Sequence, residues 1–305
     1  MKLVELEPIG VRGLADASYS LGEPGGPPPR LVVVTGPPGA GCTTFLDSIA
    51  FSAGRLGSAA AVPDPTEVLR VGGLVAAIRT AWWLDDDERR YGGLNEQVTR
   101  AQANFERGGV MSTDADPGLL GLMSRYDHTA DVSKVVLFPA RRVGDDAAPM
   151  LSDFEASQRL MRFSATTSKY AGLQRALATH TDKDVWENAQ RLYAALSPSS
   201  KLSGVNSLGQ IETTTSAGLK VPIYRLSFSE RNAFVFAASV ALMGLERSVI
   251  LVDTPELGLP VGLAARWINA LRERTPEAQW IVASRDPELV GLAGKSGLVE
   301  LGRKS

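Results

Sequence analysis

The sequence predicts an α/β fold with an N-terminal antiparallel β portion and a helical lobe, and three observations carry that reading. The apolar run Leu31-Val32-Val33-Val34-Thr35 leads into Gly36-Pro37-Pro38-Gly39-Ala40-Gly41-Cys42-Thr43-Thr44 and then into Phe45-Leu46-Asp47-Ser48-Ile49-Ala50-Phe51. That order is strand, glycine-rich turn, helix. Two further apolar runs, Ser248 to Asp253 and Gln279 to Ser284, have the length and composition of buried strands. Between these ends, Leu151 to Leu196 carries apolar residues at helical spacing.

Taken in order, residues 1–30 alternate apolar and polar in short pieces, as antiparallel strands do. Gly22-Glu23-Pro24-Gly25-Gly26-Pro27-Pro28-Pro29 is an exposed turn. The helix after the glycine-rich turn is expected to end near Gly54 or Gly57. Ala76 to Leu84 predicts a strand with Trp82 and Trp83 on opposite faces. Asp85-Asp86-Asp87-Glu88 reads as a solvated acidic turn rather than a cation site, because such runs usually sit in water. Leu94 to Phe105 reads as a polar helix, and Ser133 to Arg142 as a buried strand ending in basic residues.

In the helical lobe the expected core contacts are Leu160, Phe163, Leu173, Leu177, Trp186, Leu192 and Leu196, and Ser197-Pro198-Ser199-Ser200 ends the pattern. Ile211 to Tyr224 returns to strand-like alternation around Gly218, and an apolar helix spans Asn232 to Leu245, with Ser229 as its expected cap. The organisation expected is residues 1–150 and 205–305 as two parts of one nucleotide domain, with 151–204 as the lobe.

Composition narrows the class. A chain of 305 residues with 44% hydrophobic residues and net charge -2 is an ordinary globular protein without a generally basic nucleic-acid surface. A single cysteine permits no internal disulfide and fits a reducing compartment. The N-terminus carries acids and is no signal peptide, and the most apolar window, Ala233 to Leu245, is too short to span a bilayer. The expectation is a cytoplasmic protein without a membrane partner.

The chemistry concentrates at two strand ends. In the turn from Gly36 to Thr44, glycines let successive N–H groups point at a phosphate, and the following helix adds its free N–H groups. Thr43 stands where a hydroxyl would hold Mg²⁺, but Cys42 occupies the position where G-x-x-x-x-G-K-[ST] requires lysine. The same stretch also reads as a ligand-free glycine turn. Asp253 lies at a strand's carboxyl end, where an acid can hold the Mg²⁺ of a nucleotide; a buried strand with a polar terminus is the alternative.

This ordered set resembles the ABC-type ATPase superfamily, in its SMC/RecF-like soluble branch, a group of P-loop NTPases. Gly36 to Thr44 resembles the Walker A loop, and Leu226-Ser227-Phe228-Ser229-Glu230 the signature motif. Ser248 to Asp253 looks like the Walker B strand, Asp253-Thr254-Pro255-Glu256-Leu257 is similar to Asp-Glu-Pro-Glu-Leu, and Ser284-Arg285-Asp286-Pro287 looks like the switch segment. The resemblance implies ATP and Mg²⁺ as cofactors. Gly36, Pro38, Gly39, Ala40, Gly41, Cys42, Thr43, Thr44, Ser227 and Glu230 would face nucleotide, and Thr43 and Asp253 the metal. It also implies that two subunits sandwich the nucleotide, in a homodimer or with a competent ATPase or effector protein. The branch serves DNA repair, chromosome maintenance and bacterial defence.

The departures share a direction. Cys42 replaces the phosphate lysine, Thr254 the glutamate that orients the attacking water, Arg285 the histidine that senses the γ-phosphate, and Ser229 the signature glycine. Groups that shape the pocket are kept and groups that drive hydrolysis are lost. The expectation is therefore a pseudo-ATPase, a dimerising or docking subunit with little or no hydrolysis. The alternatives are a slow ATPase with Glu256 as base and Arg285 as catalytic cation, or a scaffold that no longer binds nucleotide.

Overall fold

The computed structural model describes residues 1–23, 25–57, 65–109, 111–125, 134–142, 161–170 and 172–302. At its centre is a five-stranded, all-parallel sheet in the order β13-β3-β12-β11-β7. Its strands are β3 (Leu31–Thr35), β7 (Val135–Phe138), β11 (Val249–Asp253), β12 (Gln279–Ala283) and β13 (Leu298–Glu300). Four of them are continuous apolar runs because both faces of the sheet are covered. Val32, Val34, Val249, Leu251 and Ile281 enter one core, and Leu31, Val33, Ile250, Val252 and Trp280 enter the other.

The first core lies between this sheet and a five-stranded antiparallel sheet, ordered β2-β1-β4-β5-β6. Its strands are β1 (Lys2–Ile9), β2 (Tyr19–Ser20), β4 (Val75–Trp83), β5 (Val98–Glu106) and β6 (Met111–Ala115). Helix α1 (Cys42–Leu56) runs between the two sheets and buries Phe45, Leu46, Ile49 and Phe51. The short helices α2 (Pro65–Val68), α3 (Asp86–Gly92) and α4 (Pro117–Ser124) border this side.

The second core is helical. Helices α5 (Leu173–Thr179), α6 (Lys183–Leu196), α7 (Phe228–Met243), α8 (Leu263–Arg274) and α9 (Pro287–Ala293) cover the other face. A small antiparallel sheet of β8 (Ser200–Val205), β9 (Ile211–Thr215) and β10 (Lys220–Pro222) packs beside α6. No helix among the described residues is long and apolar enough to cross a membrane.

Three expectations are corrected. Leu94 to Phe105 contains strand β5, not a helix: Ala101, Ala103 and Phe105 point inward at period two. Asp85 to Glu88 opens helix α3 rather than forming a hairpin turn. Asp85 caps it and Glu88 completes a reciprocal capping box, so the acids sit where the helix dipole favours them. The cap of α7 is Ser227, not Ser229, and the helix starts at Phe228. Of the core contacts expected for the lobe, Leu173, Leu177, Leu192 and Leu196 are buried in the helical core and Trp186 packs against it, while Phe163 is buried in the core between the two sheets. The reading of 151–160, Leu160 included, lies outside the described residues.

Trp82 is fully buried and its neighbour Trp83 only partly, as the strand's alternation requires. Trp82→Ala should lower the unfolding free energy by about 3–5 kcal/mol, while Trp83→Ala should cost about 1 kcal/mol or less. Denaturant titration of the two variants checks the register of β4.

Candidate functional site

The register of the parallel sheet sets Val34, Ala283 and Asp253 side by side at the carboxyl ends of β3, β12 and β11. The three turns that follow meet there. In the first, Gly41 sits at φ +96°, and a Cβ on it would stand 2.4 Å from the Gly13 carbonyl oxygen, so only glycine fits. Helix α1 begins immediately after, its ladder opened by the Phe45 N–H on the Gly41 carbonyl. No side chain caps it, which leaves the first-turn N–H groups without a side-chain acceptor. The Ala40 N–H is spent on Pro37 O at 3.0 Å, so that group is withdrawn from the expected cradle.

The Thr43 hydroxyl lies 3.2 Å from both carboxylate oxygens of Asp253. Thr254 Oγ1 donates to the same carboxylate at 3.0 Å. Thr254 has φ +47°, the only positive φ at a non-glycine among the described residues. For a β-branched side chain this conformation costs on the order of 1–3 kcal/mol. The third turn bears Ser284 and Arg285. Glu256 accepts from the Ser284 hydroxyl at 3.0 Å and from the Arg285 N–H at 3.1 Å, so both its oxygens are engaged. The Arg285 side chain crosses to the first turn, where Nε donates to Gly36 O at 3.1 Å.

These groups enclose a cavity of about 350 Å³ lined by Gly39, Gly41, Cys42, Thr43, Thr44, Asp253, Glu256 and Arg285 from the expected set, with Gly13, Thr254, Ala283 and Ser284 added. Gly36, Pro38 and Ala40 belong to the loop but do not line it, and Ala40 is buried. Ser227 and Glu230 do not line it either. They form the capping box of α7, and Glu230 also accepts from Ser199 and Ser200. Burial raises the Glu230 pKa, but the hydrogen bonds from Ser227, Ser200 and Ser199 outweigh it and hold the carboxyl below its ordinary value.

Electrostatics mark the cleft as short of positive charge. Burial pushes the Asp253 carboxyl up, against hydrogen bonds from Thr254 and Thr43 and the charge of Arg142. One turn along α1 from Thr43, Asp47 is pushed up to about 6, first by burial and then by the Asp253 charge, with Arg12 opposing. Burial likewise raises the Cys42 thiol, against the pull of Arg285. A buried carboxylate without an adequate counter-charge, beside a hydroxyl and an uncapped helix start, suits a divalent cation carried on an anion. No group of three or more His, Cys, Asp or Glu placed to hold a metal ion exists among the described residues. Mg²⁺ bound with phosphates needs only one or two protein oxygens, so the donor set fits.

Sequence reasoning missed three residues. Gly13 reaches the loop from the β1–β2 connection, and no local motif announces it. Asp47 looked like any helix residue. Arg142 was visible as a basic strand end, but the turn it holds lies more than a hundred positions away, the Asp253 carbonyl 111 residues on.

No family model and no curated protein matches the chain. Solved structures do. An SMC head bound to the C-winged helix domain of ScpA superposes with TM-score 0.59 at 16% identity, covering 95% of this chain and 92% of that one. The SMC head domain from Thermotoga maritima gives 0.54 at 15% identity, with 96% and 93% covered. A Smc head with an extended coiled coil, bound to the C-terminal domain of ScpA derived from Pyrococcus furiosus, gives 0.62 at 14% identity, with 95% and 91% covered. The fold is that of SMC head domains. The resemblance read from the motifs thus holds at the level of architecture, and the SMC-head fold spans nearly the whole chain.

Because Asp47 is protonated more readily folded than unfolded, its charged form destabilises the protein. That penalty is full above a pH of about 6 and fades as pH falls toward the ordinary value of 3.8. Without nucleotide or Mg²⁺, Asp47→Asn should raise Tm by about 2–6 °C at pH 8 and by much less at pH 4.5. Thermal melts at the two pH values check the sign.

Proposed function

We propose that this chain is a nucleotide-binding ABC-type head with degenerate catalytic groups. It takes ATP with Mg²⁺, hydrolyses it slowly or not at all, and serves as a dimerising or partner-docking subunit. The observation that carries the reading is Thr43 Oγ1 at 3.2 Å from both oxygens of Asp253, at the start of an uncapped helix and inside a cavity that has neither a lysine nor a carboxylate at position 254. Thr43 and Asp253 would hold Mg²⁺, which supplies neutralising charge to the phosphates when bound. Gly39, Gly41, Cys42 and Thr44 would face the phosphates. Arg285, anchored on Gly36, is the cation nearest to the role of the missing lysine.

Slow hydrolysis is supported by the state of Glu256. Each of its oxygens accepts a hydrogen bond from the third turn, Oε2 from the Ser284 hydroxyl and Oε1 from the Arg285 N–H, which ties the carboxylate to that turn rather than leaving it free to swing toward a nucleophile. The docking half of the proposal draws on the likeness to heads solved with domains of ScpA. Ser227 is exposed at the start of α7, where it is open to a second subunit. In domain terms, residues 1–150 and 205–305 would form the head and 151–204 its helical lobe.

Calorimetric titration with ATP and Mg²⁺ tests the first step: saturable binding is expected, and its absence leaves the scaffold reading. Arg285→Ala should weaken ATP, while Cys42→Lys should tighten it about tenfold, the scale of one charge-assisted hydrogen bond. The Cys42→Lys gain should be larger in the Arg285→Ala background, because the two cations serve the same phosphates.

Turnover separates the pseudo-ATPase from a slow enzyme. Cys42→Lys combined with Thr254→Glu should raise phosphate release by about 10²-fold or more, the usual contribution of a positioned base, whereas neither change alone should. Ordinary rates from the unmodified chain, unmoved by Thr254→Glu, would instead mark Glu256 as the base. In a complex with a competent head, Ser227→Arg in this chain should silence the partner's phosphate release.

A further inference from the structure

Arg142 follows β7 and is wholly buried, yet it pairs with no carboxylate among its described hydrogen bonds. Its five N–H groups are all directed at acceptors. Nε donates to Asn232 Oδ1 at 2.9 Å, and Nη1 to Pro139 O at 2.9 Å and Asp253 O at 2.6 Å. Nη2 donates to Thr254 O at 3.0 Å and makes a longer contact with Pro255 O at 3.5 Å. The guanidinium stands 5.2 Å from the centre of the Phe236 ring. Burial pulls its pKa down to about 10, so it stays charged at neutral pH.

Three consecutive carbonyls, those of Asp253, Thr254 and Pro255, converge on one cation. An extended strand cannot do this, because its carbonyls alternate in direction. The chain must curl, and it curls at Thr254, where φ is +47°. That curl leaves the Asp253 side chain facing Thr43 and the Thr254 hydroxyl on the same carboxylate. Of its other anchors, the Pro139 carbonyl belongs to the exit of β7, and Asn232 and Phe236 lie on α7, the helix capped by Ser227 and Glu230. The planar fork suits this task, and a lysine with three donors on a point charge does not.

We propose that Arg142 is the positioning residue of the cleft: it holds the Asp253–Pro255 turn curled, with Thr254 left-handed, so that the Asp253 carboxylate faces Thr43, and it ties this turn to α7. One of its two tests rests on the Mg²⁺–nucleotide reading and the other does not. A core cation with no positioning role would lose stability on substitution, but its loss would not depend on the residue at 254. Glycine adopts a positive φ without cost, so Thr254→Gly removes the need for the clamp.

The experiment is a double-mutant cycle of Arg142→Lys and Thr254→Gly. Without ligand, Thr254→Gly should raise Tm in the Arg142→Lys background by more than it does in the unmodified protein. With ATP, Arg142→Lys should weaken Mg²⁺ binding about tenfold while changing Mg²⁺-free ATP binding less than about twofold. Adding Thr254→Gly should recover most of the Mg²⁺ affinity relative to Thr254→Gly alone. Additive effects in both measurements overturn the inference. If the unmodified chain binds no Mg²⁺–ATP, the functional proposal fails, and the ligand-free melts still decide this one. If Arg142→Lys does not fold, Asn232→Leu removes only the Nε acceptor; the same coupling to Thr254→Gly is expected in the melts, and additivity again overturns the inference.

Discussion

A parallel sheet covered on both faces leaves its carboxyl edge as the place where loops gather and side chains reach solvent. Here that constraint brings together segments from opposite ends of the sequence. Arg285 reaches the Gly36 carbonyl across 249 positions, and Thr43 reaches Asp253 across 210. Neither contact needs a long loop, because β3, β12 and β11 lie in consecutive order with their ends level. The geometry of the cleft is a consequence of strand order. That is why it persists with cysteine, threonine and arginine at three of the positions that the resemblance assigns to lysine, glutamate and histidine.

Charge balance at this edge is uneven. Asp253 and Asp47 are both pushed toward protonation by burial, and the Asp253 charge pushes Asp47 further. The nearest buried cation, Arg142, gives its hydrogen bonds to carbonyl oxygens rather than to these acids. Arg285 is exposed, and its described bond is likewise to a carbonyl. Asp253 in the cleft and Asp47 one turn behind it on α1 are therefore two carboxylates whose counter-charge is not built into their own hydrogen bonds. A metal carried in on a polyanion would satisfy them, and its removal would leave a site that gains stability from added protons.

Much of this was legible in the sequence, and the reasons are local. The strand–glycine–helix order around Gly36 to Thr44 and the continuous apolar runs of β11 and β12 need no distant partner to be recognised. Strand β5 hides in the sequence because its inward positions include Ala101 and Ala103, which are small and good helix formers, so the period of two carries little hydrophobic contrast. The acids at Asp85 to Glu88 were read by their charge alone, although the spacing of a capping box was present in the same four residues. Two serines compete for the cap of α7, and Ser227 with Glu230 three positions later is a stronger signature than Ser229. Gly13 and Arg142 were not legible, because what gives them a role is the position of residues 28 to 113 positions away.

Thr254 brings these strands of argument to one point. The resemblance assigns a catalytic carboxylate to this position; this chain carries threonine, a side chain among the worst suited to a left-handed backbone. Such a conformation endures only where the surroundings over-determine it. The surroundings here are named: the Ala283 carbonyl holds the Thr254 N–H at 2.9 Å, and Arg142 holds the carbonyls of Asp253, Thr254 and Pro255. The shape of the turn thus has a task of its own, which is to present Asp253 to Thr43 and to keep the end of β11 attached to α7. With threonine at 254 the turn still sets the Asp253 carboxylate 3.2 Å from the Thr43 hydroxyl, so the shape of the strand end does not depend on a carboxylate at that position.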